Sequence, residues 1–315
     1  MYHYVRDLES SKFPKINGLD TRLFDEQIAY LRKNYNLIQM EELLNYIDEG
    51  IELPNNAAML TFDDGFIDHY SNVFPILEKY QLKGCFYPPI HSILENKVLD
   101  VHKIHHILAS KIDKKELINH IKVFMLSELE YEDAYYHELF SKYAVPNRYD
   151  DKETIFIKRI LQTGLDLLQR EILVDRLFKT FVDISEEELS KELYMKKDHI
   201  LEMFNHGHHF GSHGFKHYWW NQCNEKQLED EILISKQFLI ELGVNKNQLT
   251  CCYPYGGISD KVINRVSNAG FSLGFTTEVN VATPSKSNAL FIPRLDTNDL
   301  PKARNSIQNK WKELA

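Results

Sequence analysis

The chain has 315 residues, a formal net charge of −9, and is 43% hydrophobic and 12% aromatic. That is apolar material for one large domain or two ordinary ones, and the acidic balance excludes the clustered Lys and Arg of a nucleic-acid binder. The four cysteines, Cys85, Cys223, Cys251 and Cys252, form no Cys-x-x-Cys pair, so free thiols are expected rather than a disulfide framework or a Cys-rich zinc site.

In chain order, "MYHYV" reads as an opening strand. "TRLFDEQIAYLRKNY" is an amphipathic helix with Leu23, Phe24, Ile28 and Leu31 on one face and Asp20 or Thr21 as its cap. "NLIQM" fits a strand, "EELLNYIDEG" a helix closed by Gly50, "AAMLTF" a buried strand, "SNVFPILEKYQ" a helix, and "GCFYPPI" a strand stopped by prolines. Such alternation predicts an α/β fold: a parallel sheet, barrel or doubly wound, with helices outside. Between about 92 and 200 the rhythm becomes purely helical, which predicts a large helical insertion at 96–199 between barrel segments 1–95 and 200–315. Alternation resumes with "HHFGSHG", the helix "NEKQLEDEILISKQFLIELG", "LTCCYPYG", the helix "SDKVINRVSNAG", "FSLGFTT" and "LFIPRLD". "MYHYVRDLESSKF" lacks the regions of a signal peptide, and no stretch approaches the roughly 20 apolar residues that span a bilayer. With residue 1 as the native start, a cytoplasmic protein without a membrane span is expected.

Four places hold chemistry-bearing residues. Asp63 and Asp64 end an apolar strand, where like charges repel unless something compensates them; a helix cap plus a solvated carboxylate is one reading, a metal site another. "HGHHFGSHGFKHYWW" places His213 and His217 four residues apart. Two imidazoles and a carboxylate form a common catalytic zinc set, which nominates Asp64, His213 and His217, with His206, His208 and His209 left to structural roles. "YPYG" is either a tight turn or a way of presenting the Tyr255 backbone N–H as an oxyanion donor. Arg294 in "IPRLD" is either half of a surface ion pair or a bidentate clamp on a carboxylate.

"TFDDG", then "GSHGFKH", then "YPYG", in that order, resembles the polysaccharide deacetylase family, carbohydrate esterase family four, over about residues 1–95 and 200–315. The resemblance implies a distorted (β/α) barrel of about seven strands, a divalent metal ion, zinc by preference, on Asp64, His213 and His217, Asp63 as general base and Tyr255 as oxyanion donor. Three departures stand out. Gly214 replaces a Ser or Thr, Cys252 replaces an Arg that would tether the base, and no His follows His217. Arg294 is then the candidate tether. "MYH" resembles the branch that deacetylates poly-N-acetylglucosamine and whose N-terminal His is the acid, which nominates His3. The implied activity is metal-dependent removal of acetyl from an N-acetylated, or O-acetylated, sugar in cell-surface polysaccharide assembly. For a cytoplasmic enzyme a nucleotide-linked or lipid-linked sugar would be the substrate. The rival reading is a non-catalytic carbohydrate-binding or scaffolding protein on the same barrel.

Overall fold

The computed structural model describes residues 1–147, 150–307 and 309–311. It divides into two compact units. The first comprises 1–7, 18–97 and 190–315, and the second 8–17 and 98–189. Residues 8–17, read in the sequence as part of the barrel segment, therefore go with the helical unit.

The first unit is α/β with exclusively parallel pairing between its named strands. These are β1 (Asn36–Leu37), β2 (Ala57–Ala58), β3 (Thr61–Asp63), β4 (Cys85–Tyr87), β5 (His209–Phe210), β6 (Thr250–Cys252) and β7 (Leu273–Phe275). β3, β4 and β5 lie side by side, with Thr61 opposite Cys85 and Cys85 opposite His209. A parallel bridge between Ser212 and Cys251 carries the arc on to β6, which pairs with β7. The strands are shorter than expected. "MYHYV" is no continuous strand but contributes single bridges, Tyr2 to Phe62 and Val5 to Leu19, and "LFIPRLD" only the bridge from Ile292 to Phe275.

Alternation along the strands sorts side chains onto two faces. Tyr2, Phe62, Phe86 and Phe210 occupy matching registers and their rings stack from strand to strand, with centroids 5.1, 4.8 and 5.5 Å apart. This aromatic row is part of the main core, which helix α1 (Thr21–Asn34) covers with Phe24, Ile28 and Leu31. Asp20 is the α1 cap, its carboxylate accepting from the Arg22 N–H. Residues of the opposite parity, Cys85, Tyr87, Cys252, Leu273 and Phe275, pack into a second cluster together with α2 (Met40–Glu49). Thr61 and Asp63 share that parity, so their side chains leave the aromatic row and face the other way. "SNVFPILEKYQ" is a π-turn, His69–Val73, running into α3 (Phe74–Lys79).

The second unit is helical, as the period of its sequence predicts. Its helices include α4 (Asp100–Ala109), α5 (Lys114–Ser127), α6 (Asp133–Tyr143), α7 (Lys152–Arg159) and α8 (Leu167–Phe181). Asp113, Asp151 and Asp166 cap three of them by accepting backbone N–H groups. Ile107, Ile121, Phe156 and Leu177 lie in its buried interior. Lys103, nearly buried, is neutralised by Asp175 at 2.6 Å and Glu186 at 3.0 Å.

Back in the first unit, the long helix α9 (Glu225–Leu242) is capped by Asn224, and α10 (Asp260–Asn268) by Ser259. Among the described residues no helix is long and apolar enough to cross a membrane.

Candidate metal centre

The chemistry-bearing residues of the first unit collect beyond the C-terminal ends of its parallel strands, the end where α/β proteins build their sites. Asp63 is the last residue of β3. Asp64 and Gly65 then both take left-handed backbone, φ 75° and 65°, and the chain turns sharply. A side chain on Gly65 would bring a Cβ within 2.6 Å of the Pro88 Cβ, so glycine is required there by both conformation and space.

The adjacent carboxylates diverge to different partners. Arg294 clamps Asp63 with two hydrogen bonds, Nη1 to Oδ1 at 2.9 Å and Nη2 to Oδ2 at 2.7 Å. The guanidinium is itself fixed by bonds to the Thr276 carbonyl and the Thr61 hydroxyl, and Nη1 also lies 3.1 Å from Cys252 Sγ. Both partners are buried. Burial works to raise the Asp63 carboxyl, but the Arg294 charge prevails and holds it well below the usual carboxylate range. Arg294 thus stands where the sequence proposes a tether, and Cys252, the departure from the family pattern, lies beside the pair.

Asp64 faces the imidazoles. Its Oδ1 lies 3.6 Å from His213 Nε2 and 3.4 Å from His217 Nε2, and the two Nε2 atoms are 3.1 Å apart. His213 Nδ1 donates to the Cys252 carbonyl at 2.7 Å, which leaves the Nε2 of the neutral ring as a lone pair aimed at the other two. Burial pushes His213 down to about 4, so at neutral pH it offers that lone pair. Three donors with these edges share an equidistant point about 2.0 Å from each, the length of Zn–N and Zn–O bonds. Two imidazole nitrogens and one carboxylate oxygen, all buried, are also the donor types that suit such an ion. The residues present therefore fit a divalent cation. Among the described residues they are the one group of three or more His, Cys, Asp or Glu residues whose ligand atoms all lie within 4.8 Å of one another.

Tyr255 follows β6, with φ 56°, and its ring packs edge-on against His217 at a centroid distance of 4.6 Å. His3 is half-buried. Its neighbour Tyr2 brackets the end of β3 by donating to the Thr61 carbonyl and accepting from the Asp63 N–H, and the His3 charge acts on Asp63. The His3 carbonyl accepts from His69 Nε2 at 2.9 Å. His208 and His209 stand at the start of β5, away from this end.

Sequence reasoning missed the supports of the His loop. Glu231 and Ser235, one turn apart on α9, are buried. Glu231 accepts from the Lys216 N–H, the Tyr218 N–H and the Trp220 indole, and burial nonetheless pushes its carboxyl up to about 7. The Gly214 N–H donates to the Ser212 hydroxyl, that hydroxyl donates to Ser235, and Ser235 donates to the Glu231 carbonyl. The hydroxyl that the family pattern places at 214 thus has a counterpart at 212.

A family model described as polysaccharide deacetylase matches residues 148–274, a range that holds His213, His217 and Tyr255 but neither Asp63, Asp64 nor Arg294. The poly-β-1,6-N-acetyl-D-glucosamine N-deacetylase of Escherichia coli (strain K12) is 33% identical over 88 residues, which are 28% of this chain and only 13% of that protein. The protein of the same name from Staphylococcus aureus (strain MRSA252) is 22% identical over 298 residues, 94% of this chain and 73% of its own length. The solved structure of the Streptococcus pyogenes deacetylase PplD in complex with acetate superposes with a TM-score of 0.57 at 17% identity, over 93% of this chain and 88% of the other, a likeness of fold. The ordered motifs, the family model matched over 148–274 and relatives of one kind all point the same way: the chain is similar to the polysaccharide deacetylase family.

Proposed function

We propose that this chain is a metal-dependent deacetylase that hydrolyses the acetamide of N-acetylated glucosamine units in a cell-surface polysaccharide. The observation that carries the reading is the convergence of Asp64, His213 and His217 beside a separately clamped Asp63. The relatives' names supply the substrate class, a β-1,6-linked polymer, in place of the nucleotide-linked sugar that a cytoplasmic location would favour.

Asp64, His213 and His217 would hold the cation. Once bound, it supplies a Lewis acid that polarises the acetyl carbonyl and makes water nucleophilic at neutral pH. Arg294 keeps Asp63 ionised and takes two of the roughly four lone-pair sites of its carboxylate, leaving the others to receive the proton of the attacking water. The Tyr255 backbone N–H donates to the oxyanion at the tetrahedral carbon, a contact of a kind worth about 2.7–4 kcal/mol of barrier. His3, beside Asp63, returns a proton to the departing amine. Gly214 and Cys252, the departures that favoured a non-catalytic barrel, both have places in this arrangement: room for Glu231, and the carbonyl that orients His213.

The test is acetate release from N-acetylglucosamine oligomers together with metal content. Asp64→Ala and His213→Ala should lose both, whereas Asp63→Asn should lose acetate release and keep the metal. Acetate release that survives chelation and Asp64→Ala would overturn the reading.

A further inference from the structure

We infer that Glu231 is a positioning residue for the metal centre, its buried carboxylate locking the loop that carries His217. The inference rests on the metal-binding reading above and extends it to α9, which contributes none of the proposed ligands.

His217 has φ 63°, a left-handed conformation that L residues adopt only when their surroundings impose it. The two peptide N–H groups flanking it are both taken by Glu231, Lys216 to Oε1 at 2.6 Å and Tyr218 to Oε2 at 3.4 Å. Backbone N–H groups around a left-handed residue form a concavity suited to an anion, and here the anion is a side chain of the same protein. The Trp220 indole donates a third bond to Oε2 at 3.2 Å. A carboxylate 1% exposed costs a great deal unless its oxygens are met, so the loop and the acid stabilise each other.

Gly214 completes the fit. With φ 79°, an added Cβ would lie 2.3 Å from Glu231 Oε2 and 3.0 Å from Trp220 Nε1. The loop therefore comes as close to the carboxylate as its backbone allows. The Ser235 hydroxyl, one turn along α9, holds the other end through Ser212, immediately before His213. One helical face thus grips the segment on both sides of the imidazole pair. A shift of a few tenths of an ångström at 216–218 would move His217 Nε2 out of line with Asp64 Oδ1 and His213 Nε2, now 3.4 and 3.1 Å away.

The experiment compares wild type with Glu231→Gln and Glu231→Ala. The zinc dissociation constant is measured by competition with a chromophoric chelator, and the visible absorption of the cobalt-loaded protein reports ligand geometry. Removing a supporting partner of a ligand typically weakens metal affinity 10–100-fold, and that range is expected for Glu231→Ala, with a changed cobalt band. Glu231→Gln preserves shape but offers an acceptor on one oxygen only, so it should weaken binding several-fold. Should the alanine variant fail to fold, the glutamine variant carries the test. Wild-type affinity and an unchanged cobalt band in Glu231→Gln would overturn the inference while leaving the metal reading intact. Failure of the wild type itself to bind zinc or cobalt would overturn both.

Discussion

Replacing Arg294 by Met, which preserves much of its volume and removes its charge, should destabilise the first unit severely. Arg294 donates both bonds that neutralise Asp63, and further bonds to Thr276 and Thr61. Both members of the pair are buried, so solvent screening does not dilute the loss. Breaking a buried pair by deleting one partner costs about 3–5 kcal/mol, because the other charge is left uncompensated. At about 2–4 °C per kcal/mol for a unit of this size, the melting temperature should fall by about 6–20 °C. The penalty depends on pH in a defined direction. In wild type, Asp63 titrates below its unfolded value, so its contribution is present above about pH 4 and fades as the pH falls. In Arg294→Met the largest charge opposing burial is gone, so the Asp63 carboxyl shifts upward from its wild-type position and the variant gains less stability than the wild type as the pH rises. The gap between the two should therefore widen from pH 4 towards 7, read by urea denaturation in metal-free buffer. The double variant Arg294→Met with Asp63→Asn should recover much of the loss, since no charge is left stranded. A cost below about 1 kcal/mol for the single variant, or a double variant as unstable as the sum of the singles, would refute the argument.

Gly65→Ala should lose more than about 1 kcal/mol from the left-handed backbone alone, before the 2.6 Å approach to Pro88 is counted; a thermal melt reads the loss, and zinc affinity should weaken because Asp64 adjoins the displaced turn. His208 is pushed down to about 4 by burial, with Lys83 adding to the effect and Glu78 opposing it. It stays neutral when folded but protonates near 6.5 when unfolded, so stability should drain by about 1.4 kcal/mol per pH unit between those values. His208→Asn, whose side-chain carbonyl can still accept the Gly84 N–H that His208 Nδ1 now accepts, should flatten that acid limb by one proton; an unchanged slope in pH-dependent denaturation would contradict the assignment.

The residues at the strand ends were legible because their types are unusual in their setting: paired acids after an apolar run, and clustered imidazoles after another. Arg294 could be named only as a candidate, since nothing local in "IPRLD" distinguishes a buried clamp from a surface pair. Glu231 was invisible for the same reason. "NEKQLEDEILISK" has acids at many helical positions, and only tertiary burial separates the one under the His loop from its solvated neighbours. Strand lengths were overread at "MYHYV" and "LFIPRLD", where β-branched and aromatic residues serve core packing with single bridges rather than continuous ladders. Residues 8–17 carry no signal of the helical unit they join; that association is a matter of long-range packing.

Asp63 and Arg294 stand 231 positions apart. A ribosome emitting this chain therefore releases the acid long before its cation, and a product that ends between 63 and 294 carries a carboxylate with no Arg294 guanidinium to receive it. The buried clamp, and with it the ionised Asp63 that the proposed hydrolysis needs, forms only once the segment carrying Arg294 has been made.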